Sequence, residues 1–348
     1  MDAYAVVMAG GRGERLWPLS TPEHPKPFLR LFNGKSLLEA TLDRLAGLFP
    51  EERTLLLLRE DLKPAVEALE PKARVVYEPS ARDTAGALVL ALAHVAHEAP
   101  QARLVLLPAD HYVNDTQLFQ NDLTAALEAA DPPHVVTLGI PPTRPETGYG
   151  YIRLGARENG WHRAEAFVEK PTYATALHYL QSRQYLWNAG IFAFAVPTME
   201  ALLEAHLPEH YRAYRALRAA IGTDAYPEVL AEHWATLPKT SIDYGIMEKA
   251  PHVRVIPARF GWDDVGTWRA LERTLPLDEY DNAVAGTGRH VGVETRGCVI
   301  YAQDGLVATL GVSGLIVAQL GKTVLVADKE RAHEVRELVR RLENGQAS

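Results

Sequence analysis

Apolar residues in this chain gather into short runs that alternate with helical stripes. Asp2 to Ala9 is nearly all apolar, and a run without polar alternation predicts a parallel strand covered on both faces. Leu38, Leu42, Leu45 and Leu48 recur at helical spacing within Leu37 to Leu48. Thr54 to Leu58 predicts a second buried strand, Pro64 to Leu69 a short helix and Val75 to Glu78 a third strand. Ala85 to Ala96 is alanine-rich enough to pack closely on a sheet, with Ser80 or Asp83 placed to cap it. Arg103 to Leu107 is the expected central strand. This βαβα alternation calls for a parallel sheet with helices on both faces.

The pattern continues through a helix over Leu118 to Ala130, a strand over His134 to Ile140 and a strand with a charged end over Ala164 to Pro171. In the β-type run around Asn188, Phe192 and Phe194 belong to the core. Met199 to Arg218 reads as one helix ending near Gly222, followed by a short helix over Val229 to Trp234 and a strand over Val253 to Ala258. From Asn282 to Asp328 the period changes: Cys298 to Tyr301, Leu306 to Leu310, Gly314 to Gln319 and Thr323 to Ala327 are short strand-like runs between glycine turns. A last helix carries Val335, Leu338, Val339 and Leu342 on one face and should dock by it.

At 348 residues the chain can bury a large core and divide into a large domain and a smaller one. Its formal net charge of −8 argues against non-specific nucleic-acid binding. Arg336, Arg340 and Arg341 alternate with acids and read as a solvated helix face. The single cysteine, Cys298, excludes an intrachain disulfide and a thiolate zinc site, and its apolar strand makes it an inert buried thiol. No signal-peptide pattern and no membrane-length apolar stretch occurs. A cytoplasmic location is the expectation, and the oligomeric state stays open, a homodimer included.

Candidate chemistry begins where the first strand empties into Gly10-Gly11-Arg12-Gly13-Glu14-Arg15. Glycines at 10, 11 and 13 let main chain approach a ligand, and successive N–H groups can hold an anion such as a phosphate chain. Arg15 and Lys26 add mobile positive charge. A dinucleotide fingerprint would need glycine at position 16, which is Leu16. A Walker loop ending at Gly34-Lys35-Ser36 or Gly321-Lys322-Thr323 would need glycine where Leu29 and Ile316 stand. Asp110, just past the central strand, lies where open α/β sheets place ligands and can bind Mg²⁺ together with triphosphate oxygens.

Met8 to Ser20, with Pro25-Lys26-Pro27-Phe28, resembles the signature of the sugar-1-phosphate nucleotidylyltransferases, and its Trp17-Pro18-Leu19-Ser20 variant is similar to the mannose-1-phosphate guanylyltransferase branch. Pro108-Ala109-Asp110-His111 resembles that family's metal-binding segment, with His111 orienting its neighbours. In Gly261 to Trp268 the Trp-x-Asp-x-Gly arrangement aligns Asp264, not Asp263, with a second metal-binding aspartate. Glu78 to Gly86 resembles the element beside the base, which nominates Glu78, Asp83 and Thr84 as nucleotide-binding. Glu169-Lys170-Pro171 resembles the segment carrying the sugar-phosphate lysine, and Tyr185 to Phe192 the sugar-recognition strand. Gly150, Glu169 and Asn188 would then meet the sugar. Asp243, in Ser241 to Glu248, caps a helical turn or contacts the sugar site.

The resemblance implies an α/β fold: a Rossmann-like mixed, mostly parallel sheet in a nucleotidyltransferase domain over residues 1–275, and a small left-handed β-helix with a C-terminal helix over 282–344, with no further catalytic segment after it. The implied reaction joins GTP and mannose 1-phosphate into GDP-mannose and pyrophosphate, with Mg²⁺ on Asp110 and Asp264 and with Arg15, Lys26 and Lys170 as charge clamps. Rival readings are adenylyl or thymidylyl transfer to another sugar 1-phosphate, and a non-catalytic nucleotide-sugar sensor.

Overall fold

The computed structural model describes residues 3–32 and 34–345, so Asp2, the head of the first expected strand, lies outside them. Two compact units divide the chain and interleave along it. The first runs through Gly10, then Leu42–Pro108 and Asn114–Gly261; the second takes Gly11–Thr41, Ala109–Val113 and the chain from Trp262 onward.

In chain order the early strands are β1 (Ala3–Ala9), β2 (Thr54–Arg59), β3 (Arg74–Glu78), β4 (Arg103–Pro108) and β5 (Tyr112–Val113). There follow β6 (Val135–Ile140), β7 (Gly150–Glu158), β8 (Trp161–Glu169), β9 (Tyr185–Ala195), β10 (Val253–Pro257) and β11 (Trp262–Asp263). The early helices are α1 (Leu37–Leu45), α2 (Lys63–Glu67), α3 (Asp83–Glu98), α4 (Thr116–Ala129), α5 (Tyr173–Ser182), α6 (Val196–His206), α7 (Pro208–Ala220) and α8 (Tyr226–Thr236).

The first unit holds a nine-stranded sheet in the order β3-β2-β1-β4-β9-β6-β10-β8-β7. Strands β1, β2, β3, β4, β6, β7 and β10 share one direction and β8 and β9 oppose it, so the sheet is mixed and mostly parallel. Val6, Leu55, Leu57, Leu104, Leu106, Phe192 and Phe194 form its core with α3, whose residues from Ala85 to Ala96 are buried on almost every side. Small side chains make that possible, because alanine lets the helix axis sit close to the strands and to α7.

Two local expectations change. The long helix over 199–218 is two, α6 and α7, because Pro208 has no N–H for an α-helical bond and starts a new helix instead. Neither Ser80 nor Asp83 caps α3: Arg82 holds the cap position with no side-chain bond, and Asp83 Oδ1 accepts from its neighbour's N–H on Thr84 at 2.7 Å. Beyond Arg153, β7 continues as a largely exposed hairpin with β8.

The second unit adds α9 (Ala270–Thr274), β12 (Ala283–Ala285), β13 (Arg289–Val293), β14 (Val299–Ala302), β15 (Leu306–Leu310), β16 (Leu315–Leu320), β17 (Thr323–Asp328) and α10 (Val335–Glu343). Strands β12, β14 and β16 stack in parallel, with Ala283, Val299 and Ile316 in register, and β13 stacks on β15 in the same sense. That return of the chain to the same face is the β-helix-like architecture the resemblance implies. The rungs share one core with the segment after the glycine loop: Leu16, Leu29, Leu31 and Leu37 pack with Val265, Trp268, Val299, Ile316 and Leu325. Cys298 is buried and free, as its strand predicts.

Helix α10 docks less than its pattern predicts. Val335 is buried, but Leu338 and Leu342 are 42% and 48% exposed. Helical spacing aligns apolar residues on one face without supplying a surface long enough to cover it. Among the described residues no helix is long and apolar enough to cross a membrane.

Candidate active site

The residues nominated from sequence form three clusters. The first lies within the second unit, in a cleft of about 460 Å³ lined by Gly11, Gly13, Arg15, Lys26, Asp110 and Asp264 together with Arg12, Glu14, Gly266 and Arg336. Among its glycines the requirement is strictest at Gly13. Gly13 has φ +71°, and a Cβ there would lie 2.6 Å from the Cβ of Lys26. A Cβ on Gly266 would lie 2.5 Å from the Asp264 carboxylate, and one on Gly11 3.3 Å from that of Asp110. Gly10 has open space around it.

Lys26 is only 7% exposed. Its ammonium donates to Asp110 Oδ2 at 2.9 Å and to the main-chain carbonyl of Asp264. Burial alone would raise the Asp110 carboxyl; Lys26 and then His111 outweigh it and hold the group below the ordinary carboxylate range. His111 Nδ1 accepts from Trp262 Nε1 at 3.1 Å, and the two rings meet edge to face at 5.1 Å. Trp262 sits on β11, paired with β5 just beyond Asp110, so this contact ties β11 to the Asp110 segment.

The two neighbouring aspartates differ in their surroundings. Asp263 is buried, forked by Arg273 and accepting from Val265 N–H at 2.8 Å, so it is a structural anion. Asp264 faces the cleft, with Oδ1 accepting from Gly266 N–H at 3.1 Å.

Asp110 and Asp264 suit a hard cation. Both residues line the cleft, the Lys26 ammonium bonds to the Asp110 carboxylate and to the main-chain carbonyl of Asp264, and carboxylates are the donors Mg²⁺ selects. Among the described residues no group of three or more His, Cys, Asp or Glu is arranged to hold a metal. An ion on this pair would complete its shell with water and substrate oxygens, the usual habit of Mg²⁺.

The second cluster lies within the first unit. Gly150 opens β7 opposite Glu169, and a Cβ there would come within 2.3 Å of Glu169 Oε2, so the carboxylate lies directly over the glycine. Lys170 pairs with Glu169 at 3.2 Å and takes φ +47°, a left-handed conformation rare for lysine. Its N–H donates to the Tyr149 carbonyl at 3.2 Å. The preceding loop is shaped by Arg144, whose guanidinium lies 4.9 Å from the centre of the Trp187 ring. Asn188, on β9, donates to Asp243 at 2.6 Å.

The third cluster, also in the first unit, is looser. Glu78 ends β3 and is buried, which pushes its carboxyl up to about 7 against the pull of Arg59. Asp83 is exposed in a left-handed conformation, φ +63°. The Thr84 hydroxyl accepts from Ile242 N–H at 2.8 Å, so it ties this turn to the segment leading into Asp243.

Sequence reasoning missed Arg336. Read as part of a solvated face, it lines the cleft from the first turn of α10, with its side chain partly exposed and its Nε 3.6 Å from the Glu337 carboxylate. No spacing rule would have flagged it, because its place depends on where the helix docks.

A glycine loop beside a buried lysine and two carboxylates, in a chain that also holds an α/β sheet and β-helix-like rungs, defines a nucleotidyl-transferring protein. Residues 4–279 match the nucleotidyl transferase family, and the chain belongs to it. Residues 288–342 match the mannose-P isomerase/GMP-like β-helix domain. A mannose-1-phosphate guanylyltransferase of Klebsiella pneumoniae is 35% identical over 99% of this chain and 74% of its own length. One from Escherichia coli is 35% identical over 98% and 74%. A crystal structure of a Thermus thermophilus protein, described as a mannose-1-phosphate geranyltransferase, superposes with TM-score 0.93 at 56% identity, covering 99% of this chain and 100% of that one. A Helicobacter pylori mannose-6-phosphate isomerase structure, at 23% identity and TM-score 0.60, covers 75% of this chain and 99% of its own, and shares the fold alone.

Proposed function

We propose that this chain transfers the guanylyl group of GTP to α-D-mannose 1-phosphate, giving GDP-mannose and pyrophosphate. The observation that carries the reading is the cleft in which Lys26 lies between Asp110 and Asp264 beneath a glycine loop, in a chain whose relatives are mannose-1-phosphate guanylyltransferases. We take residues 1–275 as the catalytic part and 282–344 as the β-helix-like part.

A phosphate oxygen of the sugar forms a bond to the α-phosphorus in line with the bond to the β-phosphate, which breaks as pyrophosphate leaves with the electron pair. No side-chain base is needed, because a phosphate monoester with a second pKa of about 6 is already a dianion near neutral pH. Arg15 and Lys26 bind the triphosphate and stabilise charge on the leaving pyrophosphate. Lys170 holds the acceptor phosphate, while Gly150, Glu169 and Asn188 meet the sugar hydroxyls. Glu78, Asp83 and Thr84 lie with the base. When bound on Asp110 and Asp264, Mg²⁺ would neutralise triphosphate charge.

Pyrophosphate release from GTP, ATP, dTTP and UTP, each with mannose 1-phosphate and glucose 1-phosphate, tests the reading. GTP with mannose 1-phosphate should give the highest kcat/KM. A base acceptor left unpaired by adenine costs about 1–3 kcal/mol, so GTP should exceed ATP by roughly fivefold to 150-fold. Equal constants for ATP and GTP would remove the guanine reading, and no release with any pair would leave a sensor.

A further inference from the structure

The Asn188 carboxamide is held at both ends. Gly190 N–H donates to its Oδ1 at 3.0 Å, and its Nδ2 donates to Asp243 Oδ1 at 2.6 Å. The two ends of a carboxamide are nearly alike in shape and opposite in hydrogen bonding, so two fixed partners decide which end is which. One N–H and one lone pair are left for a ligand.

Asp243 comes from a different part of the first unit. It opens the single π-helical turn Asp243–Met247, a wide turn that recurs at functional sites because it displaces one residue from regular spacing. The turn is anchored from the segment nominated to lie by the base: Ile242 N–H donates to Thr84 Oγ1 at 2.8 Å, and Ala85 N–H donates to the Thr240 carbonyl at 3.1 Å. Asp243 also stands in the field of Glu169 and Lys170, the pair assigned to the acceptor. Burial, and then Glu169, push its carboxyl up to about 6, against the stabilising bond from Asn188. Keeping a carboxyl there is costly, and the side chain that answers it is the Asn188 carboxamide.

We propose that Asp243 is a positioning residue of the acceptor site, locking the Asn188 carboxamide in one orientation so that the sugar meets a fixed donor and a fixed acceptor. The inference rests on the assignment of Asn188 to the acceptor. It makes the Thr240–Asp243 segment part of sugar discrimination, although its own anchor lies on the base side.

Steady-state kinetics with GTP and mannose 1-phosphate test it in the wild type, Asp243→Ala, Asp243→Asn, Asn188→Ala and the Asp243→Ala/Asn188→Ala double variant. Asp243→Ala should raise KM for the sugar phosphate by about tenfold or more and leave KM for GTP within roughly twofold. Asp243→Asn keeps an oxygen that can accept from Asn188, and should bring the acceptor KM back to within about threefold of wild type. In the Asn188→Ala background the alanine at 243 should add little, since two residues acting through one contact are not additive. Should Asp243→Ala fail to fold, Asp243→Ser removes the same carboxylate and carries the same expectation. An unmoved acceptor KM, an asparagine variant as impaired as the alanine, or a full effect without Asn188 would each overturn the proposal. Wild-type turnover is measured first, so loss of the functional reading and loss of this one are told apart: in the second case the wild type is active.

Discussion

Two carboxyl groups near strand ends meet the cost of burial in opposite ways. Asp110 is answered by an ammonium at 2.9 Å and stays ionised, whereas Glu78 has only the more distant Arg59 and is pushed up to about 7. A carboxyl raised above its ordinary 4.5 favours the fold while protonated, so its contribution is full below about 4.5 and is lost as pH rises through about 7. Glu78→Gln has no proton to lose. It should be more stable than wild type at pH 8 by on the order of 3 kcal/mol, with the gap closing toward pH 4.5. Urea denaturation at the two pH values checks this, and an equal gap at both would show that Glu78 is not desolvated. At this scale the sequence was informative where a family motif carried the information. The resemblance singles out Asp264 rather than Asp263, and in the structure Asp263 pairs with Arg273 while Asp264 lines the cleft. Asn188's dependence on Asp243 was not legible, since 55 positions separate two residues joined only by folding.

Elements were readable where their residues are buried on both faces, and less so where one face meets water. Strands β1, β2 and β4 follow their apolar runs closely, while the outer half of the β7 hairpin carries exposed, charged residues and shows no alternation. Helix α10 illustrates the same limit, since its period was plain and its docking was not. Val335 anchors its first turn, which sets Arg336 in the cleft and leaves Leu338 and Leu342 exposed. Arg336→Ala should therefore raise KM for GTP, by about tenfold if a charge-assisted phosphate contact of about 1.5 kcal/mol is lost, while Leu338→Gln should move stability by less than about 0.5 kcal/mol. Initial rates over a GTP series and thermal melting of the two variants measure these effects. An unchanged KM for GTP in Arg336→Ala would return the arginine to the solvated face.

Across the whole molecule the α/β class and the change of period near residue 282 were plain in the sequence, because each rests on local repetition. The interleaving of the two units was not, because it depends on contacts between segments far apart, such as the pairing of β5 with β11 and the packing of Leu16 and Leu29 against Val299 and Ile316. Sequence-distant pairing of this kind slows folding, since loop closure must be met before contacts repay it. The rungs β12, β14 and β16 are also what cover Leu16, Leu29, Leu31 and Leu37. A fragment ending at Gly261 should therefore leave the glycine loop open to trypsin at Arg12 and Arg15, with cleavage at least about tenfold faster than in the full chain. Equal rates would mean that the loop folds without the rungs.

On the ribosome the shared core of the second unit takes on a time order. The glycine loop emerges first, Asp110 becomes available to Lys26 much later, and Asp264 with the rungs arrives in the last third of the chain. A nascent chain holds the glycine loop long before it holds the core that shapes it, and on the proposed reading nucleotide can stabilise the protein only once the rungs have been made.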